Sequence, residues 1–556
     1  MIDNDPAPTR QRSDPSLRTG EAASTLVLTG FMGVGKTTVG RALAARLQRP
    51  FVDLDQRIAA LTGRDIPALF AEGEATFRAA EAAALRGLPS DQPLVIATGG
   101  GTLIGRANQR LLDGATLVCL DAPLSLLQTR LGNDGQRPLA AEAQRLYAER
   151  RAAYQRLPLH VDVAGRTVAE IVAEIVGLRP SSPRPPSPNT GRGGRFSFHV
   201  PTPHGEPYPI LIGNGIGAEV GAHLAAWGVE RAALITDQNV GPLWGESVRH
   251  DILAAGLPTT RLTMAAGEVH KTQETVATLY DGMAAAAVAR GDGVVALGGG
   301  VVGDVAGFVA ATWMRGLRRV VQMPTTLLAM VDASVGGKTG VDHPAGKNLI
   351  GAFRFPDLVL IDPEFLTTLP DAELRNGMAE VIKHGVIADP ALFDTVLAHK
   401  GPLLDLLTAD FLARAVQVKV EIVTRDPFER GERALLNLGH TFAHGYELVS
   451  GYAISHGEAV AMGMVTAARL SERLGMAVSG LAGRIAGTLE HVGLPTAWHG
   501  PDSADALWAA MQQDKKRTAA GLRFVLPRDI GDCVLTEAGA VSRADVAAVL
   551  CEGVGV

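Results

Sequence analysis

The sequence predicts an α/β protein of two lobes: a domain with a phosphate-binding loop and a parallel sheet, and a larger lobe made of an α/β domain followed by an all-α domain. Two glycine-rich turns, each between a strand pattern and a helix pattern, predict the α/β parts: Gly30-Phe-Met-Gly-Val-Gly-Lys-Thr37 and Gly298-Gly-Gly-Val-Val-Gly303. Between them, residues 179–195 are rich in Pro, Ser, Gly and Arg, so we expect a tether. The expected segments are a tail (1–22), a first lobe (23–178), the linker (179–195), an α/β domain (196–365) and a helical domain (366–556).

Composition narrows the classes of partner. The chain has 556 residues, with 52 Lys plus Arg against 58 Asp plus Glu and no long run of either sign, so we expect no nucleic-acid or membrane partner. The three cysteines are far apart in the sequence (Cys119, Cys533 and Cys551), which argues against a disulfide framework and favours the cytoplasm. Residues 1–22 are polar and lack an apolar signal core, so we expect a disordered tail.

The first glycine-rich turn has the spacing of a nucleotide-binding loop. Its glycines let backbone amides converge on phosphate oxygens, and the following helix adds positive potential. We expect Lys36 to reach the outer phosphates of ATP and Thr37 to ligate Mg²⁺. The predicted nucleotide contacts are Gly33, Gly35, Lys36, Thr37 and Thr38.

The acceptor of the phosphoryl group is sought in the residues that follow. Asp53 and Asp55 end a second apolar stretch, where one carboxylate can serve Mg²⁺ and the other an acceptor hydroxyl; a solvated strand end is the alternative. Arg78 lies in a helical pattern, and Gly99 to Gly101 end a further strand and permit close approach of a ligand.

Together with Leu61 to Arg64, Arg137-Pro-Leu139 and Glu149-Arg150, these motifs resemble shikimate kinase over nearly the whole first lobe. The resemblance implies that Asp53 supports Mg²⁺, that Asp55 orients or deprotonates the acceptor hydroxyl, and that Arg137 sits in a lid over ATP. Shikimate would be held by Asp55, Arg78, Gly100 and Arg150. The sequence lacks a proline that the family often has before Tyr154, which leaves Arg150 and Arg151 as alternatives.

The second lobe carries signals for a dinucleotide and an anionic ligand. The Gly298 turn would place a pyrophosphate at a helix N-terminus, although a plain glycine-rich turn is an alternative. Asp237 ends a buried strand, where it could hold a ribose or cap the surface. Asp332, Lys338, Lys347 and Asn348 lie in segments that we expect to be glycine-rich loops bending around a phosphorylated or carboxylated ligand.

The helical region predicts a divalent-metal site. Glu380 and His384 are four residues apart, and Arg433, Asn437, His440 and His444 form a polar stripe that we expect on one helix. His456 begins a further helix. A carboxylate and several imidazoles from such helices favour Zn²⁺, and spacing alone nominates His440 and His444 as the ligand pair.

This lobe resembles 3-dehydroquinate synthase over nearly its full length. The resemblance implies a Zn²⁺ or Co²⁺ site made by Glu380, His440 and His456, with His444 acting in phosphate elimination and Glu429 as a general acid or base. It implies NAD contacts from Asp237, Glu268, Lys271, Gly298, Gly299, Asp304, Thr325, Thr326, Lys347 and Thr368. It implies substrate contacts from Asp332, Lys338, Lys347, Asn348, Lys383, Lys419, Arg433, Asn437 and Lys516 (or Lys515), and a homodimer in which Arg315 reaches the neighbouring site.

We therefore predict a bifunctional enzyme of aromatic biosynthesis. Its first lobe would phosphorylate shikimate with ATP and Mg²⁺, and its second would convert 3-deoxy-D-arabino-heptulosonate 7-phosphate to 3-dehydroquinate and phosphate. The alternatives are that the second lobe is a different sugar-phosphate cyclase or a metal-dependent polyol dehydrogenase, and that the first is a regulatory module that only binds ATP. The two steps do not adjoin, so the sequence does not imply channelling.

Overall fold

The computed structural model describes residues 24–89, 92–131, 143–155, 157, 159–177, 194–202, 205–429, 431–500, 504–515 and 522–551. The predicted tail, residues 179–193 of the predicted linker, Arg137 and Lys516 lie outside these residues. Among the described helices, none is both long enough and apolar enough to cross a membrane.

The first lobe is a parallel sheet flanked by helices. Its five strands lie in the order β2-β3-β1-β4-β5, and all four pairings are parallel, which confirms the predicted parallel sheet. The sheet is buried on both faces, as parallel sheets with helical crossovers are. Its elements are β1 (Leu26–Thr29), α1 (Lys36–Leu47), β2 (Phe51–Asp53), α2 (Leu54–Thr62), α3 (Ile66–Ala71), α4 (Glu74–Arg86), β3 (Val95–Ala97), α5 (Arg106–Arg110), β4 (Thr116–Asp121), α6 (Leu124–Leu131), α7 (Ala143–Gln155), β5 (Leu159–Asp162) and α8 (Val168–Gly177).

The second lobe begins with an α/β domain. Its seven-stranded sheet has the order β6-β7-β14-β11-β10-β8-β9, parallel throughout except for the antiparallel pair at one edge. Its elements are β6 (Phe196–Thr202), β7 (Gly205–Ile212), α9 (Val220–Ala226), β8 (Ala232–Asp237), α10 (Glu246–Ala254), β9 (Thr259–Met264), α11 (Gln273–Ala285), β10 (Gly293–Gly298), α12 (Gly300–Thr312), β11 (Arg319–Pro324), β12 (Lys338–His343), β13 (Gly346–Phe353) and β14 (Leu358–Ile361).

From residue 371 onward, the described residues are helical apart from one short antiparallel pair, β15 (Val525–Asp529) and β16 (Asp532–Leu535), which the sequence patterns do not predict. A 3-10 turn, Glu432–Asn437, precedes α17. The elements are α13 (Asp371–Ala388), α14 (Pro390–Ala398), α15 (Leu403–Leu406), α16 (Ala409–Arg425), α17 (His440–Val449), α18 (His456–Arg473), α19 (Leu481–His491), α20 (Ala504–Lys515), β15 (Val525–Asp529), β16 (Asp532–Leu535) and α21 (Arg543–Cys551).

The part of the predicted glycine-rich loops that carries Lys338, Lys347 and Asn348 is instead the β12–β13 hairpin, so the prediction was wrong there. Asp332 lies before the hairpin on a π-helical turn. Gly340 and Gly351 face each other in the hairpin, and a Cβ on either residue would lie 2.5 Å from a carbonyl oxygen of the opposite strand. These two glycines therefore allow close approach of the strands. The hairpin still carries Lys338, Lys347 and Asn348.

The predicted single helix carrying Arg433 to His444 was also wrong. Arg433 and Asn437 lie on the 3-10 turn, and α17 starts at His440 after Gly439, which has φ 79°. A Cβ on Gly439 would lie 2.9 Å from backbone atoms of α18. The chain breaks here because α17 and α18 approach closely, a tertiary constraint that residue spacing does not encode.

The two lobes pack against each other. Helix α10 of the second lobe lies against α4 and α5 of the first, and Asp251 Oδ1 accepts a hydrogen bond of 2.9 Å from the backbone N–H of Ala107. Arg106 Nη1 lies 2.8 Å from both Asp362 Oδ2 and Glu364 Oε2, and its guanidinium lies over the rings of Trp244 and Phe365. The linker therefore joins lobes that share a buried, charged interface.

Arg106→Met should destabilise the docked chain. The Asp362 side chain is 0 % exposed, and removing its guanidinium partner leaves a buried charge with no cation beside it, held by the backbone N–H groups of Gly215, Gly217 and Glu364. Breaking a buried pair from one side costs about 3 kcal/mol or more. Thermal unfolding of the full chain should therefore begin at a lower temperature.

Arg110→Met is the matched control, because Arg110 also reaches across the interface, to Glu219, but is 37 % exposed. An exposed ion pair contributes about 0 to 1 kcal/mol. Equal unfolding temperatures for the two variants would contradict the assigned role of the buried pair.

Candidate active sites

The phosphate-binding loop connects β1 to α1. Gly33 and Gly35 have φ values of 80° and 100°, which L side chains rarely adopt, and this explains the glycines. The N-terminus of α1 has no side-chain cap, so its amides are available to an anion. Lys36 Nζ donates to the carbonyls of Gly30 and Phe31 at 2.8 and 3.0 Å, and phosphate oxygens would compete with these carbonyls for the ammonium.

The residues predicted for Mg²⁺ lie together. Thr37 Oγ1 donates to Asp53 Oδ2 at 2.9 Å, an arrangement of hydroxyl and carboxylate that suits a hard cation. Thr38 is exposed on the first turn of α1. Asp53 ends β2, whereas Asp55 lies in the first turn of α2 and not on the strand. A Cβ on Gly99 would lie 3.2 Å from Asp55 Oδ1, which places that carboxylate beside the triple glycine.

Arg78 is buried on α4 between two carboxylates. Its Nη1 donates to Glu81 Oε2 at 3.0 Å, and its Nη2 lies 3.4 Å from Glu74 Oε1. A Cβ on Gly101 would lie 2.5 Å from Nη2, so the glycine is needed to admit the guanidinium. Arg78 Nε is buried and has no hydrogen-bond partner among the described residues.

Arg150, not Arg151, faces the triple glycine. Arg150 is buried on α7, and its Nη1 lies 3.8 Å from the position of a Cβ on Gly100. Arg151 is exposed and lines a separate cavity with Asp121 and His160. The described part of the first lobe thus brings Asp55, Arg78, Gly100 and Arg150 together beside the phosphate-binding loop. Arg137 is outside the described residues.

The second lobe contains a cavity of about 650 Å³ between its α/β and helical parts. The cavity is rich in cationic side chains, which suit an anionic ligand. It collects residues that the sequence predicted from distant segments: Asp304, Asp332, Lys338, Asn348, Lys383, Lys419, Glu429, Arg433, Asn437 and His440.

Glu380, His440 and His456 meet beside this cavity. One ligand atom from each lies within 4.8 Å of the others, and His440 Nε2 and His456 Nε2 lie 3.7 and 3.6 Å from Glu380 Oε1. Lys383 forms an ion pair with Glu380, but both oxygens of this buried carboxylate lack a hydrogen bond among the described residues. A carboxylate and two imidazoles with their ligand atoms this close are the donor set of a divalent-metal site, so the residues fit such a metal.

The other ring nitrogens of the two histidines are held by the protein. His440 Nδ1 lies 3.2 Å from Leu438 O, and His456 Nδ1 lies 3.4 Å from Glu447 Oε1; such contacts orient metal-binding imidazoles. Burial and the nearby Lys383 ammonium lower the pKa of His440 to about 3, which keeps it in the neutral form that binds metal. Burial lowers the pKa of His456, but Glu380 and Glu447 outweigh it and raise that pKa to about 9, so a metal there would displace a proton.

The structure brings His440 together with a different histidine from the one that spacing nominates. His444 lies one turn after His440, with ring centroids 5.8 Å apart, but the cluster that could hold a metal contains His456 instead. Another cluster, partly buried, shares Glu380 and adds Asp332 and His384. His384 Nδ1 lies 2.9 Å from Ala415 O, which orients that ring.

A polar network links the predicted dinucleotide site to the cavity. Lys271 Nζ lies 2.6 Å from Asp304 Oδ2 and 2.6 Å from Asn348 Oδ1. Burial alone would lower the pKa of Lys271, but the carboxylates of Asp304 and Glu268 outweigh burial and the net pKa is raised. The ammonium therefore stays charged. Because β8, β10 and β11 are parallel neighbours, Asp237, Gly298 and Thr325 lie at one sheet edge, where dinucleotides bind. The N-terminus of α12 has no side-chain cap, which suits a pyrophosphate.

Two further pairs line the cavity. Lys338 forms an ion pair with Glu429, and Asn437 Nδ2 donates to Glu429 Oε1 at 2.8 Å. Burial alone would raise the pKa of Glu429, but Lys338 and Asn437 outweigh burial and the net pKa is lowered. Its carboxylate is therefore ionised near neutral pH. Lys419 Nζ lies 2.7 Å from Asp332 Oδ1. Asp332 is on a π-helical turn, a feature that is frequent at functional sites.

Some predicted residues do not line this cavity. Lys347 lies 3.6 Å from Glu447, and Thr326 caps the turn at Ala329. Thr368 Oγ1 accepts from Trp244 Nε1 at 2.8 Å. Gly299 caps α12. Arg315 is exposed after α12 with φ 67°, and Lys516 is outside the described residues.

The sequence patterns missed two residues at these sites. Glu447 holds His456 and Lys347, and its position seven residues after His440 on one helix face is a signal that could have found it. The hydroxyl of Tyr154 donates to the carbonyl of Gly100 and fixes the turn beside Arg150.

Comparisons with known proteins match each lobe to a different enzyme family. A model of the shikimate kinase family matches residues 32–178. Models of the N-terminal and C-terminal parts of 3-dehydroquinate synthase match residues 261–376 and 377–517.

Relatives and a solved structure match the second lobe. The 3-dehydroquinate synthase of Caulobacter vibrioides is 47 % identical over 366 residues, which cover 64 % of this chain and 98 % of the relative. That of a Synechococcus species is 46 % identical over 350 residues, 61 % of this chain and 93 % of the relative. The structure of the 2-epi-5-epi-valiolone synthase ValA of Streptomyces hygroscopicus, with NAD⁺ and Zn²⁺ bound, is 30 % identical with a TM-score of 0.58, covering 64 % of this chain and 99 % of that one. The chain is thus a fusion that belongs to the 3-dehydroquinate synthase family through its second lobe and to the shikimate kinase family through its first.

Proposed function

We propose that this bifunctional enzyme of the shikimate pathway phosphorylates shikimate to shikimate 3-phosphate in its first lobe. In its second lobe it converts 3-deoxy-D-arabino-heptulosonate 7-phosphate to 3-dehydroquinate and phosphate. The observation that carries the proposal is that Glu380, His440 and His456 meet beside a cationic cavity. In the first lobe, the hydrogen bond from Thr37 to Asp53, next to the phosphate-binding loop, supports the kinase reaction.

In the first lobe, charge neutralisation and positioning do the chemistry. Lys36 and the amides of the loop hold the phosphates of ATP, and Thr37 and Asp53 hold Mg²⁺. Asp55 orients the 3-hydroxyl of shikimate and accepts its proton. Arg78 and Arg150 bind the carboxylate and diol, which fixes the acceptor against the phosphoryl group. The family resemblance assigns Arg137 a contact with ATP.

In the second lobe, the cavity binds a substrate that carries both a carboxylate and a phosphate. Lys338, Lys383, Lys419 and Arg433 supply the positive charge, and Asp332 and Asn437 orient the hydroxyl groups. Lys347 and Asn348 add contacts to the substrate, and the family resemblance assigns a further contact to Lys516. Burial in this cavity strengthens each charged contact relative to water.

The cofactors supply what the side chains cannot. When bound, NAD takes and returns the hydride at C5, and the Zn²⁺ or Co²⁺ ion polarises the oxygen there. Oxidation at C5 acidifies the neighbouring C–H, so that phosphate can leave by β-elimination. Glu429, already ionised beside Lys338, is suited to accept a proton, and His444 serves the elimination of phosphate.

The residues that hold NAD lie along the carboxyl edge of the parallel sheet. Asp237 and Glu268 would hold the nucleoside ends, and Gly298, Gly299, Thr325, Thr326 and Thr368 the central part. We further propose that the second lobe forms a homodimer in which Arg315 reaches the neighbouring site.

The cysteines of the chain are widely spaced, and Cys119 and Cys533 are free, which favours a location in the cytoplasm.

Purified full-length chain should show both activities. With NAD and Zn²⁺, it should release phosphate from the heptulosonate phosphate without net accumulation of NADH, because the hydride is returned in each cycle. With Mg²⁺-ATP, it should form ADP in a shikimate-dependent reaction. Phosphate release only from other sugar phosphates would indicate a different cyclase, and steady NADH formation from a simple polyol would indicate a dehydrogenase. Absence of shikimate-dependent ADP would contradict the kinase assignment.

A further inference from the structure

The interface between the lobes contains a chain of charges that ends at the acceptor site of the kinase lobe. Arg249 on α10 belongs to the synthase lobe. Its Nη1 lies 3.1 Å from Glu74 Oε2, and its Nη2 lies 3.4 Å from Glu74 Oε1. Glu74, the first residue of α4, in turn pairs with Arg78. A residue of one catalytic lobe is thus two contacts away from the shikimate site of the other.

Arg249 is firmly held from its own lobe. Glu246, one turn earlier on α10, is buried and lies 2.8 Å from Arg249 Nη2 and 3.1 Å from its Nε. His250 and Arg261 also lie within 4 Å of this carboxylate. The guanidinium therefore reaches Glu74 from a fixed position, with little rotamer freedom left to lose.

The two carboxylates that bracket Arg78 are supported differently. Glu81 is held within the kinase lobe, by Thr102 Oγ1 at 2.7 Å and Asn108 Nδ2 at 3.4 Å. The Glu74 carboxylate has as partners only Arg78 and Arg249 among the described residues. Burial alone would raise the pKa of Glu74, but Arg249 and Arg78 outweigh burial and the net pKa is lowered. The negative charge of Glu74 is thus stabilised by one arginine from each lobe.

The charge balance decides what Arg78 can bind. With Arg249 present, Glu74 shares its negative charge between two guanidinium groups, which leaves Arg78 able to attract a substrate carboxylate. Without Arg249, Glu74 and Glu81 together face Arg78 as two anions against one cation. A carboxylate ligand would then be repelled by an uncompensated charge in a partly buried site, where screening is weak.

We propose that Arg249 of the synthase lobe is a positioning residue for the kinase lobe, which through Glu74 orients Arg78 and sets the charge of the shikimate site. This inference rests on the proposed function of the first lobe. It makes the synthase lobe part of the acceptor site, so affinity for shikimate depends on docking between the lobes.

Arg249→Met in the full-length chain tests the proposal, because methionine keeps much of the side-chain length without the charge. The KM for shikimate should rise about tenfold, the size of effect expected when a coupled, partly buried charge is lost. The KM for ATP and the rate of phosphate release by the synthase lobe should change less than about twofold, since Arg249 touches neither site. Arg249→Lys should restore part of the affinity for shikimate.

A second substitution separates a charge effect from a general loosening of the interface. In the double variant Arg249→Met/Glu74→Gln, the uncompensated anion is gone, and the KM for shikimate should return to within about threefold of the wild-type value. Arg110→Met is the control, because Arg110 also crosses the interface but pairs with Glu219; it should leave the KM for shikimate unchanged.

An unchanged KM for shikimate in Arg249→Met would overturn the proposal, as would an increase that Glu74→Gln does not reverse. The wild-type chain is assayed first with shikimate and ATP. If it forms no shikimate-dependent ADP, the assigned kinase reaction fails, and that result is distinct from failure of the role of Arg249.

Discussion

His440→Ala should reduce phosphate release from the heptulosonate phosphate by roughly three orders of magnitude. The three proposed ligands, Glu380, His440 and His456, meet at this site. The loss of one should weaken metal binding and the polarisation that the metal provides, which is worth several kcal/mol. Metal analysis of the purified chain should show a parallel loss of bound Zn²⁺. Shikimate-dependent ADP formation should be unchanged, because the phosphate-binding loop lies in the other lobe.

Two further histidines make this test specific. His444→Ala should also slow phosphate release, but the chain should keep its Zn²⁺, because His444 lies outside the Glu380, His440 and His456 cluster. His399→Ala should change neither quantity, since His399 lies at the C-terminal end of α14 and contacts Pro402. Loss of Zn²⁺ in both the His440 and the His444 variants would instead support the ligand pair that spacing nominated.

Lys36→Ala should abolish shikimate-dependent ADP formation, with a decrease of about 10³-fold or more. Lys36 is the only cationic side chain of the loop between Gly30 and Thr37, and charge stabilisation of the transferred phosphoryl group is the main catalytic contribution in this class. The assay follows ADP with saturating shikimate, beside phosphate release by the second lobe.

Arg46→Ala is the control for that experiment, because Arg46 lies on the last turn of the same helix. It should retain kinase activity. Equal loss of both activities in the Lys36 variant would contradict two separate active sites.

Local patterns predicted the parts of the sites that depend on neighbouring residues in the chain. The phosphate-binding loop, the Gly298 turn and the placement of Glu380 and His384 on one helix all follow from spacing and from backbone geometry. The set Glu380, His440 and His456 came from resemblance to a family. Spacing alone nominated His444, because residue spacing reports which side chains share one face of one helix. It does not report that α18 packs against α17 and brings His456 to the cluster.

The interface was the largest feature that the sequence did not reveal. Glu74 and Arg249 are 175 positions apart, and an isolated charge on a helix is usually a solvated surface residue. The linker composition predicted a tether, which says nothing about whether the joined lobes dock. The hairpin that carries Lys338 and Lys347 was missed because its glycines favour loops, whereas here they allow two strands to approach.

The most direct test of two chemically separate sites on one chain is removal of metal from a single preparation. The full-length chain is treated with a zinc-selective chelator, dialysed, and assayed for both reactions with Mg²⁺ supplied for the kinase. Phosphate release from the heptulosonate phosphate should be lost and should return with added Zn²⁺ or Co²⁺, while shikimate-dependent ADP formation continues at its original rate. Persistence of phosphate release in the metal-stripped chain, or a fall of both activities together, would contradict this account.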